Sequence, residues 1–328
     1  MRRLQAYSLI AALAAAIAVL ASGCGGRGAA KSGGEAFRPH HFPALPEPPA
    51  MVTEPREATE YVLSNYWNEF LSKSFPCDSG IVNGVSAEEV EKALGTYVTL
   101  LEQGAGVDFG RKAMAGFFDK VEKFQAADTS SNVFDFFEEM VPKYLYDPNS
   151  PVRNEDLYLP YVSGLAASAF VDPEMRRSYS YNVKLCSLNK IGTPAADFTF
   201  TDLSGKRRSL YGIKAETTLL FFTNPGCPAC KEIIQSLTTD EVIPGLVASG
   251  RLAVVNVYID EDIPLWRQYA SEYPSSWYNG YDQSYLIRSD LIYDVRAIPS
   301  LYVLDGEKKV IMKDAPVEAV LPYLENLK

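Results

Sequence analysis

Cys227 and Cys230, separated by Pro228 and Ala229, are the residues in this sequence whose spacing most clearly specifies a chemistry. An apolar run, TLLFFT (218–223), precedes them, and an amphipathic stretch over 228–238 follows. The pattern predicts a strand, a turn and a helix that opens at the first cysteine. A cysteine in that place faces backbone N–H groups with no intrahelical acceptor and the positive end of the helix dipole. Both favour thiolate over thiol, which makes Cys227 a nucleophile and a good leaving group. Lys231 adds positive charge beside it. Cys230, one turn deeper, is placed to resolve a mixed disulfide. The chemistry is thiol–disulfide exchange, carried by the Cys227–Cys230 disulfide with no other cofactor expected.

Zinc is the other common use of such a pair, but it needs two further ligands at matching spacing. The remaining candidates are distant: Cys77 and Cys186 in the preceding half, and His40 and His41 in a proline-rich stretch. No metal is expected. With only two histidines, both outside the segments that read as folded, Ser-His-Asp and Cys-His mechanisms have no base. Cys77 and Cys186 either form a structural disulfide or stay as buried free thiols, which pack like small hydrophobes. A net charge of −10 argues against nucleic acid as a partner, since that needs clustered basic charge.

The elements that must position the pair lie in 190–328. Residues 196–202, 217–223 and 251–259 read as strands, 262–273 and 284–295 as helices. Strands over 300–304 and 308–313 flank Asp305-Gly306, a hairpin signal, and 316–327 closes as a helix. This alternation predicts an α/β domain with a mixed central sheet flanked by helices. Residues 56–189 read instead as an all-α domain of five or six helices. Tyr61, Val62, Tyr66, Phe70 and Leu71 share a face, Ser86-Ala87-Glu88-Glu89 is a capping box, and Phe117, Val121, Phe124 and then Phe134, Phe137, Met140 repeat the amphipathic pattern.

A CxxC pair at a strand-to-helix junction, followed by β-α units and by Ile298-Pro299 before a hairpin and a last helix, resembles the thioredoxin fold over about 190–328. The resemblance implies that Pro299 is cis and packs beside the sulfurs, and that the Ile298 backbone pairs with a bound substrate strand. Pro299 stands 69 positions after Cys230, which leaves room for the extra β-α insertion of the TlpA/ResA-like branch. Thr193-Pro194-Ala195-Ala196-Asp197-Phe198 resembles the entry sequence of that branch. The helical half, with YLYDPNSPVRNEDLY, resembles an uncharacterised domain that accompanies thioredoxin domains in envelope lipoproteins.

This sequence also departs from the family. Where thioredoxins carry a buried Asp six residues before the first cysteine, Phe221 stands; where the branch has Glu after the second, Ile233 stands, with Glu232 one position earlier. The proton-handling carboxylate is thus unassigned: Glu232 and Asp240 are either candidates for it or exposed surface acids. Gly226 replaces the Trp before the motif, so aromatic packing beside the disulfide is either absent or supplied from elsewhere, with Trp266 and Trp277 as the candidates. Asn224 replaces the Thr of peroxiredoxins, which argues against peroxidase chemistry.

The N-terminus reads as a secretory signal: Arg2-Arg3, an apolar run over 8–21, then Ala21-Ser22-Gly23-Cys24. The last four resemble a lipobox, which makes Cys24 a lipidation site. The expected organisation is a signal peptide over 1–23, a tether over 24–55, a helical domain over 56–189 and a thioredoxin-like domain over 190–328. The expected function is a thiol–disulfide oxidoreductase of the bacterial cell envelope, lipid-anchored on the periplasmic face of a membrane and leaning to reduction. Its expected partners are protein thiols and disulfides, a membrane redox partner and the membrane itself. The alternative is an envelope binding or scaffold lipoprotein whose thioredoxin-like domain does not turn over.

Overall fold

The computed structural model describes residues 38–104 and 106–327. The expected lipidation site at Cys24 and the expected signal peptide lie outside these. The chain divides into two compact units, Met1–Met140 and Val141–Lys328.

The first unit is helical. Its α1 (Pro55–Asn65) starts on a proline at its first turn, where the missing N–H costs nothing. Then come a short hairpin of β1 (Ile81–Val82) and β2 (Val85–Ser86), α2 (Ala87–Gly104), α3 (Val107–Ala127) and α4 (Val133–Leu145), which crosses into the second unit. The hairpin corrects the all-α expectation. Asn83 and Gly84 both adopt positive φ (46° and 79°), the turn that an Asn-Gly pair favours between strands. Ser86 caps α2 as the sequence implies, its Oγ accepting from Glu89 N–H at 3.2 Å. The core centres on Trp67, stacked on Phe117 (4.7 Å between ring centres) and edge-on to Phe137 and Tyr97. The stretch expected as tether joins this core before residue 55: His40 N–H donates to Gly84 O, and the Phe42 ring packs against Trp67 and Phe70.

The second unit holds α5 (Glu155–Ala167) and α6 (Pro173–Cys186), then β3 (Thr199–Thr201), β4 (Arg207–Ser209), β5 (Thr217–Phe222), α7 (Pro228–Thr239), α8 (Ile243–Ala248), β6 (Leu252–Tyr258), α9 (Ile263–Tyr269), β7 (Tyr278–Tyr281), α10 (Leu286–Ser289), β8 (Ser300–Asp305), β9 (Val310–Met312) and α11 (Val317–Glu325). Helices α5 and α6 thus belong to the compact unit that carries the sheet. Seven strands pair in the order β4-β3-β7-β6-β5-β8-β9. β5, β6 and β7 run parallel; β8 returns antiparallel to β5. Every residue of β5 and β6 is buried, as in a strand covered on both faces. The pleat sends Leu220, Phe222, Val255 and Val257 to one apolar core, and Leu219, Phe221 and Val254 to the other.

The helix expected over 284–295 shrinks to α10. Tyr285 and Leu291 take positive φ (54° and 49°) on either side of it, so no longer helix can form. β7 escaped the sequence reading because YNGY has little apolar content. Its glycine is required by close approach: a Cβ at Gly280 would stand 2.5 Å from Phe200 Cδ2 and 2.9 Å from Thr201 O. Gly280→Ala is expected to destabilise the chain by about 1–3 kcal/mol, measured by urea unfolding, because the obstacle includes backbone.

Candidate active site

β5 ends at Phe222, and Thr223 N–H still donates to Val257 O at 3.1 Å, so the chain leaves the sheet only at Asn224. Four residues later α7 begins, with Cys227 as its N-cap and Pro228 in its first turn. Cys227 and Cys230 are joined in a disulfide, with Cα atoms 5.3 Å apart. Cys230 N–H, one of the donors that a helix start leaves unpaired, donates to Cys227 Sγ at 3.1 Å. The site therefore stabilises negative charge on the outer sulfur through both a hydrogen bond and the helix dipole.

The two cysteines differ in access. Cys227 is half-buried, whereas Cys230 is 2% exposed among Phe221, Ile233, Leu237 and Leu301. A partly accessible sulfur at the helix start with a sheltered one behind it is an arrangement that suits sequential exchange. The Ile298–Pro299 peptide is cis. The β5–β8 register pairs Phe222 with Ser300, which brings Pro299 abreast of the segment that leads into Cys227. Ile298 packs, partly buried, against the same cluster as Cys227 and Cys230. The structure thus draws Cys227, Cys230, Ile298 and Pro299 into one site.

Neither candidate carboxylate belongs to it. Glu232 is exposed. Asp240 lies at the far end of α7, about 15 Å along the axis from the disulfide. There its Oδ1 accepts from Ile243 and Val242 N–H, bonds that hold its carboxyl below the usual range. The acid tied to the motif loop is Asp260, a residue that no sequence pattern singles out. Its Oδ2 accepts from Asn224 Nδ2 at 2.7 Å, and its Oδ1 lies 2.7 Å from Arg288 Nη2. Asp260 also borders a cleft of about 550 Å³ lined by Tyr258, Asp262, Tyr285 and Arg288.

The aromatic neighbour of the motif is another such case. Trp266 is buried against Tyr281, 4.9 Å between ring centres. Trp277 lies in the core beneath Cys230. At Gly226 it is Tyr269 that approaches, its hydroxyl 3.8 Å from where a Cβ would stand. Cys77 and Cys186 are free thiols, so the structural disulfide that the sequence allowed is absent. Cys77 Sγ points to Ser130 O, while Cys186 is buried, and burial pushes its thiol well up from the ordinary value. Among the described residues no cluster of three or more His, Cys, Asp or Glu could hold a metal, and no helix is long and apolar enough to cross a membrane.

Behind the cis-proline loop lies a buried charged cluster. Burial, and then the Glu155 carboxylate, push the Asp294 carboxyl up to about 6, against the opposing pull of Arg296 and Lys313. Below pH 4 Asp294 is protonated in both the folded and the unfolded chain. Between about 4 and 6 the folded chain holds a proton that the unfolded chain has lost, so stability falls as pH rises through that window. Asp294→Asn cannot lose that proton. Relative to the parent, its stability in urea is expected to improve by about 2 kcal/mol between pH 4 and pH 7. For the site itself, iodoacetamide added to the reduced protein is expected to label Cys227 at least about tenfold faster than Cys230, read by peptide mass mapping.

Residues 26–189 match the model of a family described as a domain of unknown function, DUF5106. No curated protein matches the chain. Among solved structures, a thioredoxin-like protein from Bacteroides caccae is 34% identical; the match covers 87% of this chain and 98% of that one, with a TM-score of 0.74. The C-terminal domain of an uncharacterized protein from Bacteroides fragilis is 44% identical over 42% of this chain and 97% of its own, with a TM-score of 0.40. A domain of a possible thiol-disulfide isomerase from Cytophaga hutchinsonii is 25% identical over 42% and 92%, with a TM-score of 0.35. With half its length matched by the family model and nearly all of the Bacteroides caccae protein covered, the chain belongs to the DUF5106 family and to the thioredoxin-like proteins.

Proposed function

We propose that the protein is a thiol–disulfide oxidoreductase acting on protein substrates, working as a reductase of the TlpA/ResA-like kind. The observation that carries this reading is the half-buried Cys227 at the start of α7, disulfide-bonded to a sheltered Cys230 and set beside the cis Ile298–Pro299 peptide. In the reduced protein Cys227 thiolate attacks one sulfur of a substrate disulfide. That S–S bond breaks, and the leaving thiolate takes up a proton. Cys230 then loses its proton and attacks Cys227 Sγ. The mixed disulfide breaks, the second substrate thiol leaves, and the Cys227–Cys230 disulfide forms, so two electrons have passed to the substrate. A dithiol donor, which we place at the membrane, restores the reduced pair. Ile298 would offer its backbone to the substrate strand beside Pro299.

Reduction is favoured over oxidation because Pro228 and Ala229 bring no side chain that would hold the thiolate beyond what the helix start supplies. The segment over 8–24 supports an envelope lipoprotein, with Cys24 lipidated and the chain facing the periplasm. Equilibration with dithiothreitol or glutathione mixtures tests the central claim. A two-electron couple near about −270 mV is the expected result; one near about −120 mV would make the protein a disulfide donor, and no reversible couple at Cys227 and Cys230 would end the enzyme reading. Cys230→Ser is expected to accumulate a mixed disulfide with a protein substrate, visible on a non-reducing gel, and Cys227→Ser to accumulate none.

A further inference from the structure

The loop that presents Ile298 and cis-Pro299 starts at Arg296, whose guanidinium is shared between carboxylates of two other segments. Its Nη2 lies 2.9 Å from Glu155 Oε1 and 3.2 Å from Asp314 Oδ2. Glu155 opens α5, and its side chain is only 2% exposed. Its second oxygen lies 2.6 Å from Lys313 Nζ, which also donates to Cys186 O and Leu188 O at the end of α6. Asp314 Oδ1 accepts from Ser300 Oγ at 2.6 Å. Both sides of the cis peptide are therefore gripped: Arg296 two residues before Ile298, and Ser300 directly after Pro299. The grip leads back to the first residue of a helix outside the sheet.

Buried ion pairs contribute little net stability, because desolvating the charges offsets most of their attraction. They do fix geometry. Arg296 can satisfy Glu155 and Asp314 together only from a narrow range of positions, and the loop follows it. Exchange with a protein strand requires that loop to stand in register with Cys227, and small misplacements of a substrate cost far more than their size suggests. A small disulfide that does not pair with the loop needs none of this.

We propose that Glu155 is a positioning residue for the substrate-binding loop, holding Arg296 and through it the Ile298–Pro299 segment in line with Cys227. This rests on the thiol-exchange reading. It gives α5, which lies within the residues that match the family model, a task in recognising macromolecular substrates.

Glu155→Gln in the full chain keeps the shape and removes the charge. Insulin reduction and glutathione disulfide reduction are compared, with dithiothreitol recycling the enzyme. The expected result is a KM for insulin raised about tenfold with kcat within about twofold. The glutathione disulfide kinetics and the Cys227–Cys230 potential should match the parent, and Glu155→Asp should restore part of the loss. An unchanged KM for insulin overturns the inference. So does an equal loss on both substrates, which general loosening would give. If Glu155→Gln does not fold, Arg296→Lys retains the positive charge but cannot span both carboxylates; the same rise in KM is expected, and an unchanged KM again overturns the inference. Failure of the parent chain itself to reduce insulin would mean that the thiol-exchange reading had fallen, and this inference with it; a parent that works beside an unaffected variant removes the positioning role alone.

Discussion

The Cys230 N–H has no acceptor within α7 and donates to Cys227 Sγ, and the rest of the site depends on that bond. A helix must leave its first amides unpaired, and here one of them meets a sulfur instead of water. The arrangement requires the helix to begin at Cys227 and nowhere else. Pro228 in the first turn helps to fix that start, since its φ is already helical and it has no N–H to waste. The strand before it fixes the rest: six consecutive buried residues in β5 cannot slide along the sheet without exposing an apolar side chain or burying a polar one.

The second half of the site comes from the same sheet. β8 runs antiparallel to β5 with Phe222 opposite Ser300, so pairing alone carries Pro299 to the end of β5 where the motif begins. Nothing in the local sequence around Ile298 refers to Cys227. Their proximity is a consequence of register, maintained by two apolar cores whose residues alternate along both strands. Beyond the sheet, α5 adds charge to an otherwise apolar support, with Glu155 meeting Arg296 and Lys313, and Arg296 meeting Asp314, behind the loop.

The absence of an acid at position 221 changes the proton chemistry open to this site. Phe221 packs in the core with Cys230, so no carboxylate from β5 lies beneath the sulfurs. Asp260 is linked to the motif loop through Asn224, but it is shared with Arg288 at the edge of a cleft. Under the proposed exchange, the proton on Cys230 would pass to water or to substrate groups at the mouth of the site. Tyr269, standing where a side chain at Gly226 would point, adds a hydroxyl at that mouth.

Much of this was legible in the sequence because it is local. The strand-to-helix junction at Cys227, the apolar runs of β5 and β6, the capping box at Ser86 and the hairpin at Asp305-Gly306 each follow from propensities a few residues apart. The sequence alone also pointed to the chemistry proposed for the pair, since two thiols three positions apart at a helix start have few other uses without further metal ligands. Only the tertiary structure decided the rest. Positive φ at Tyr285 and Leu291 breaks a helix that the apolar pattern promised. Phe42 leaves the expected tether because Trp67 and Phe70 provide a surface for its ring. Glu155 and its partner Arg296 are 141 positions apart in the chain, and Asn224 and its partner Asp260 are 36 apart. Such pairs form only because burial in a shared core brings distant segments together, and no periodicity within one segment can encode where another will be.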